Sequence, residues 1–144
     1  FMNVNKNNKE EILKELNNLR KNTLMETLHI EYVDFGDDFL IATMPVNSRV
    51  HQPDGVLNGG ATLALAESVG SPASMLFIDN DKFMVRGIQL SANHISSVKS
   101  GIVFAKAKII HKGRTTHVLE IKIEDENGKL VSICKLTNFI LPKK

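Results

Sequence analysis

The sequence holds one cysteine, one tyrosine and no tryptophan in 144 residues. The lone thiol, Cys134 in "LVSICKLTNFIL", has no partner in the chain, which excludes an intrachain disulfide framework and leaves a buried structural thiol as the reading. An excess of one charge is also missing. Eighteen Lys and Arg face 16 Asp and Glu, a net of +2, which is too little for the basic surface that nucleic acid binding needs. No apolar run reaches the roughly 20 residues that span a bilayer. The early segment "NKNNKEEILKELNNLRK" has neither the apolar stretch nor the cleavage site of a secretory signal. These absences lead to the expectation of a cytoplasmic protein with neither nucleic acid nor membrane as partner. His51, His94, His111 and His117 are scattered without a ligand pair on one element, so no metal site is expected. No phosphate-binding glycine loop with its lysine occurs either.

What is present is ordinary globular composition, 42% hydrophobic and 24% charged, over a length that suits one domain, 1–144. From Lys9 to about Lys21, Ile12, Leu13, Leu16 and Leu19 recur at helical spacing and predict an N-terminal amphipathic helix. "HIEYVDFGDDFLIATMPV" predicts two strands joined at Gly36-Asp37-Asp38, and "NSRVHQPDGVLNGG" is turn chemistry. "ATLALAESVGSPASMLF" is rich in Ala and Leu and predicts one long central helix, running to about Pro72 or beyond. Four strands follow, with turns at Lys99-Ser100-Gly101, Lys112-Gly113 and Asn127-Gly128. The order helix, two strands, long helix, four strands fits an α+β sheet with one face packed on the helix. Gly70 and Pro72 predict a distortion of that helix.

Glu67 stands alone among small and apolar neighbours, where burying an unpaired carboxylate is costly, so it belongs to a solvated helix face, to an ion pair or to a functional site. Gly59 and Gly60 open the helix with backbone N–H groups that no side chain obstructs, suited to a developing oxyanion. Ser71 lies four residues after Glu67, on the same helical face. Eight residues separate Gly59 from Glu67, roughly 12 Å along a helix axis, while a carbonyl carbon and its oxygen are about 1.2 Å apart. If both act on one carbonyl, a second, antiparallel copy of the helix must supply one of them, and the site belongs to a symmetric dimer.

"HQPDGVLNGGATLALAESVGS", with "MVRGIQLSANHISSVKSG" and "HKGRTTHVLEIKIEDENGKLVSICKLTNFIL", resembles the hotdog-fold acyl-CoA thioesterases. The likeness is strongest to the phenylacetic-acid-degradation, 4-hydroxybenzoyl-CoA and 1,4-dihydroxy-2-naphthoyl-CoA branch. It runs from about Leu28 and implies a curved antiparallel sheet wrapped around the long helix, in dimers that pair into tetramers. It further implies hydrolysis of an aromatic or medium-chain acyl-CoA, with coenzyme A entering as part of the substrate and no separate cofactor. By position, Gln52 would bond near the thioester, Gly59 would give the oxyanion N–H, Glu67 would be nucleophile or general base, and Ser71 would hold water or the carboxylate. Asn58 occupies the place where the family usually has histidine, and an amide can donate to the thioester oxygen but cannot become cationic. Ser96 stands where relatives often carry arginine. Gly60, Asn93 and His94 are expected beside the substrate, and Lys99, Lys112 and Arg114 are turn cations able to meet coenzyme A phosphates. Two other functions fit the same fold: an acyl-thioester hydratase or dehydratase, and a non-catalytic acyl-CoA-binding module.

Overall fold

The computed structural model describes residues 8–144. Helix α1 (Lys9–Asn18) is shorter than its apolar spacing predicts, because the chain turns at Asn22, whose φ is +59°. One helical turn, α2 (Leu24–Thr27), follows, and then the hairpin β1 (Glu31–Phe35) and β2 (Phe39–Val46). Helix α3 (Gly59–Met75) comes next, and then β3 (Phe83–His94), β4 (Gly101–Lys112), β5 (Thr116–Glu124) and β6 (Leu130–Pro142). The Asn127-Gly128 turn forms as its sequence predicts, with Gly128 at φ +77° and its N–H on the Asp125 carbonyl at 3.0 Å.

All six strands join one antiparallel sheet in the order β1-β2-β4-β5-β6-β3. Register shifts interrupt four of the five pairings, and such bulges bend strands and increase their twist. The sheet curves around α3, which packs against β2 through β6, and the architecture is the hotdog fold. Small residues make this wrapping possible. A Cβ on Gly70 would stand 2.3 Å from Leu136 Cδ2 and 3.2 Å from Ile121 Cδ1, so the sheet touches the helix backbone there. Leu65 and Val69 on the helix and Leu119, Ile121 and Leu136 on the strands are fully buried in that seam.

Pro72 lies inside α3. It has no N–H to offer the carbonyl four residues earlier, that of Ser68. The chain's one tyrosine supplies the missing donor: Tyr32 Oη donates to Ser68 O at 2.7 Å. The helix therefore continues to Met75 past the expected distortion, its orphaned acceptor satisfied from β1.

The two ends of the sheet are treated differently. At the β1 edge, Asn17 donates to the Tyr32 carbonyl at 2.8 Å and accepts from its N–H at 2.9 Å, while Arg20 donates to the Ile30 carbonyl at 2.6 Å. The side chains of α1 and its following turn thus act as a substitute strand. At the other edge, the 12-residue β3 has no strand on its outer side among the described residues.

Candidate active site

The loop before α3 is stitched into a fixed shape. Gln52 N–H donates to Val56 O at 2.8 Å, Gly55 N–H returns to Gln52 O at 2.9 Å, and Leu57 N–H reaches Val98 O at 2.8 Å. Asn58 N–H donates to Val50 O at 2.8 Å, and a ring nitrogen of His51, Nε2, lies 2.8 Å from Lys99 O. These bonds hold Gln52 beside the start of α3. There it lines a cleft of about 180 Å³ with Gly59, Thr62, His94, Ile95 and Val131.

His94 comes to the cleft from the end of β3, and a Cβ on Gly59 would lie 2.9 Å from its Nε2. Its Nδ1 lies 3.1 Å from Ser132 Oγ, and Ser132 Oγ donates to Asn93 O at 3.1 Å. With the serine's single proton committed to that carbonyl, Nδ1–H is the donor to Ser132. Nε2 then carries the lone pair toward Gly59.

At the helix N-terminus the two glycines part company. Asn58 caps the helix, its Oδ1 accepting from Gly60 N–H at 2.7 Å and from Ala61 N–H at 3.4 Å. Gly60 is exposed and its N–H is spent, which removes it as a free anion donor. The Asn58 oxygen is spent in the same way; Asn immediately before an Ala-rich helix is an N-cap pattern that was available in the sequence. Gly59 N–H has no acceptor among the described residues and lines the cleft.

Glu67 is not in this cleft. Its carboxylate lies midway along α3, eight residues on from Gly59, against β3, with Oε1 only 2.1 Å from where a Gly87 Cβ would stand. Gly87 is there because any side chain would displace the acid, a role that nothing in "VRGIQL" announces. Ser71 follows Glu67 by one turn, half-buried. Asn93 is exposed and alternates with His94 along β3, so its side chain lies on the opposite sheet face from the cleft.

The three expected cations are not gathered together either. Lys99 is at the cleft end, where its carbonyl meets His51. Lys112 pairs across the strands with His117, at the Glu67 end, with Nζ 5.7 Å from the centre of the Phe77 ring, and Arg114 is exposed in the next turn. Ser96 lines the cleft. A second recess of about 350 Å³ is lined by Met75, Phe83, Met84 and Val85 together with the polar Asn80, Arg86 and Lys143. The described residues contain no group of three or more His, Cys, Asp or Glu able to hold a metal, and no helix long and apolar enough to cross a membrane.

One long helix in a curved antiparallel sheet, with a free glycine N–H at its start and a carboxylate two turns further along, defines the class as hotdog hydrolases. Residues 54–132 match the thioesterase superfamily, and the chain belongs to it as a thioester hydrolase. It is 41% identical to the 1,4-dihydroxy-2-naphthoyl-CoA hydrolase of Escherichia coli (strain K12) over 129 residues, 90% of this chain and 94% of the relative. It is 42% identical to the proofreading thioesterase EntH of Cronobacter turicensis, again over 129 residues, 90% of this chain and 93% of that one. The crystal structure of a glutamine-to-alanine mutant of the thioesterase PA1618 from Pseudomonas aeruginosa superposes with a TM-score of 0.89 at 44% identity, covering 91% of this chain and 94% of that structure.

Proposed function

We propose that the chain is a cytoplasmic acyl-CoA thioesterase acting on aromatic or medium-chain acyl groups as a homodimer. Each site then takes Gln52, Gly59 and His94 from one protomer and Glu67 and Ser71 from the other. The observation that carries this reading is the separation of the free Gly59 N–H from the Glu67 carboxylate along one helix, because neither half is a hydrolase alone. The edges of the sheet support the partner: β1 is sealed by Asn17 and Arg20, whereas β3 is open and joins both halves, with Gly87 at Glu67 and His94 in the cleft. An antiparallel pairing of two β3 strands would bring the cleft of one protomer toward the Glu67 end of the other. Exposed Ile102, Phe104 and Phe139, on the face turned away from α3, support further pairing of dimers into tetramers.

In this site Gly59 N–H meets the carbonyl oxygen as it becomes an oxyanion, an interaction whose loss typically costs about 2.7–4 kcal/mol in the barrier. Gln52 orients the thioester, and Glu67 either attacks the carbonyl carbon or takes a proton from attacking water. The 1,4-dihydroxy-2-naphthoyl-CoA hydrolase among the relatives supports an aromatic acyl group. Thiol release across a panel of aryl and alkyl acyl-CoAs tests the substrate class. Mixing inactive Glu67→Gln and Gln52→Ala chains tests the shared site, since a mixed dimer holds one intact site and random exchange restores up to about a quarter of wild-type activity. No recovery from demonstrably exchanged subunits would end the shared-site reading.

A further inference from the structure

Behind Glu67 lies a polar side chain that hydrolysis as described above does not use. Asn138 on β6 is fully buried, and its Nδ2 donates to Gly70 O at 3.2 Å and to Ser74 Oγ at 2.9 Å. The Gly70 carbonyl can only accept, so these bonds fix which way the amide faces. Oδ1 is turned the other way, buried and without a hydrogen-bond partner among the described residues. A Cβ on Gly87 would stand 2.1 Å from Glu67 Oε1 and 3.5 Å from Asn138 Oδ1. Two acceptor oxygens therefore converge on one place in front of Gly87 with no donor between them.

The neighbouring strand repeats the anomaly. His117 pairs with Asn138 across β5 and β6, is 1% exposed, and its Nδ1 is likewise buried without a partner. Buried polar atoms are rarely left unpaired, and ordered water is their common partner where two or more of them converge. This cluster does not depend on a second protomer, since all its members belong to one chain.

We propose that Asn138 is a positioning residue whose Oδ1, together with Glu67 Oε1, holds the water consumed in hydrolysis. The assignment rests on the thioesterase reading and deepens it. A water donating one hydrogen to each oxygen turns its lone pairs outward, toward the acyl carbon. As its oxygen forms the C–O bond, one of its protons passes to Glu67; the amide of Asn138 accepts a hydrogen bond but not the proton. Collapse of the tetrahedral intermediate breaks the C–S bond, and the leaving thiolate takes the proton from Glu67. Acid and thiol result, with Glu67 restored. In this arrangement Glu67 is a general base and forms no anhydride.

Asn138→Leu keeps the branched shape of the side chain and deletes the acceptor, along with the amide donor to Gly70 O and Ser74 Oγ. The expected result is a kcat reduced about tenfold or more with KM within about twofold, since the loss falls on the reacting water and not on acyl-CoA binding. Loss of packing alone would instead lower the amount of folded enzyme and leave kcat per folded site unchanged. A high-resolution crystal structure of the wild-type protein should show a water within about 3.2 Å of both oxygens, and this readout serves even if the variant fails to fold. An unchanged kcat in Asn138→Leu, or a direct contact between the two residues with no water, would overturn the proposal while leaving the thioesterase reading intact. A wild-type protein that holds the water yet releases no thiol from any acyl-CoA would overturn that reading, and this role for the water with it.

Discussion

His94 Nε2 occupies the space a side chain at residue 59 would need, 2.9 Å from where its Cβ would stand. Gly59→Ala should therefore push the imidazole out of the cleft. The backbone tolerates alanine, because Gly59 is not among the residues with positive φ and Ala is the better helix former by about 1 kcal/mol. The expectation is an unchanged or raised Tm with kcat/KM reduced about 10²-fold, the usual scale of a 1 Å misplacement. Steady-state kinetics check it, and in a His94→Ala background the substitution should cost far less.

Gly87→Ala tests the other half of the site. Its Cβ would fall 2.1 Å from Glu67 Oε1, and the carboxylate, at the end of a flexible side chain, would swing away. Activity should drop about 10²-fold with the unfolding midpoint nearly unchanged. Activity equal to wild type would show that the acid does not work from its place against β3.

Tyr32→Phe removes the donor to the carbonyl that Pro72 leaves orphaned. A buried acceptor left unsatisfied costs about 1–3 kcal/mol, and denaturant unfolding should show a loss in that range. Pro72→Ala restores a backbone N–H to Ser68 O, so Tyr32→Phe should cost less in that background. Burial pushes the Tyr32 hydroxyl pKa up, with Arg20 opposing it. The tyrosine therefore stays a neutral donor through the ordinary pH range.

Stability should also fall in mild acid. Burial, reinforced by Lys112 and His111, holds the His117 pKa below its ordinary value. The unfolded chain, with a histidine pKa of about 6.5, then binds a proton that the folded chain refuses. The stabilisation is complete above that pH and is lost as pH falls from there through the folded pKa. Thermal melts between pH 7 and 5 should show a decline that His117→Gln makes shallower.

The fold was legible because periodicity carries it: Ile12 and Leu16 for α1, the charged and apolar alternation of β5, and the small residues of α3. Glu67 and Gly59 stood out as candidates because an acid among apolar residues and glycines opening a helix are local anomalies, whereas Gln52 was named by the family resemblance alone. Asn138 and Gly87 were not, since each is unremarkable in its own strand and gains meaning only when β3 and β6 meet beside the helix. For Lys112 and Arg114 the sequence said less: a turn charge says that it is exposed but not at which end of the sheet. Asn58 was visible as an N-cap, yet its place in the family motif drew the reading toward substrate.

The unequal ends of the sheet reach beyond catalysis. An exposed strand edge ordinarily invites open-ended stacking of copy upon copy, the route to fibres. Here the amide of Asn17 and the guanidinium of Arg20 already occupy the β1 side, and in the proposed dimer the one open edge would be used up in a single joining. Assembly along the sheet would then be self-limiting, and removing the Asn17 side chain would expose the molecule to runaway growth.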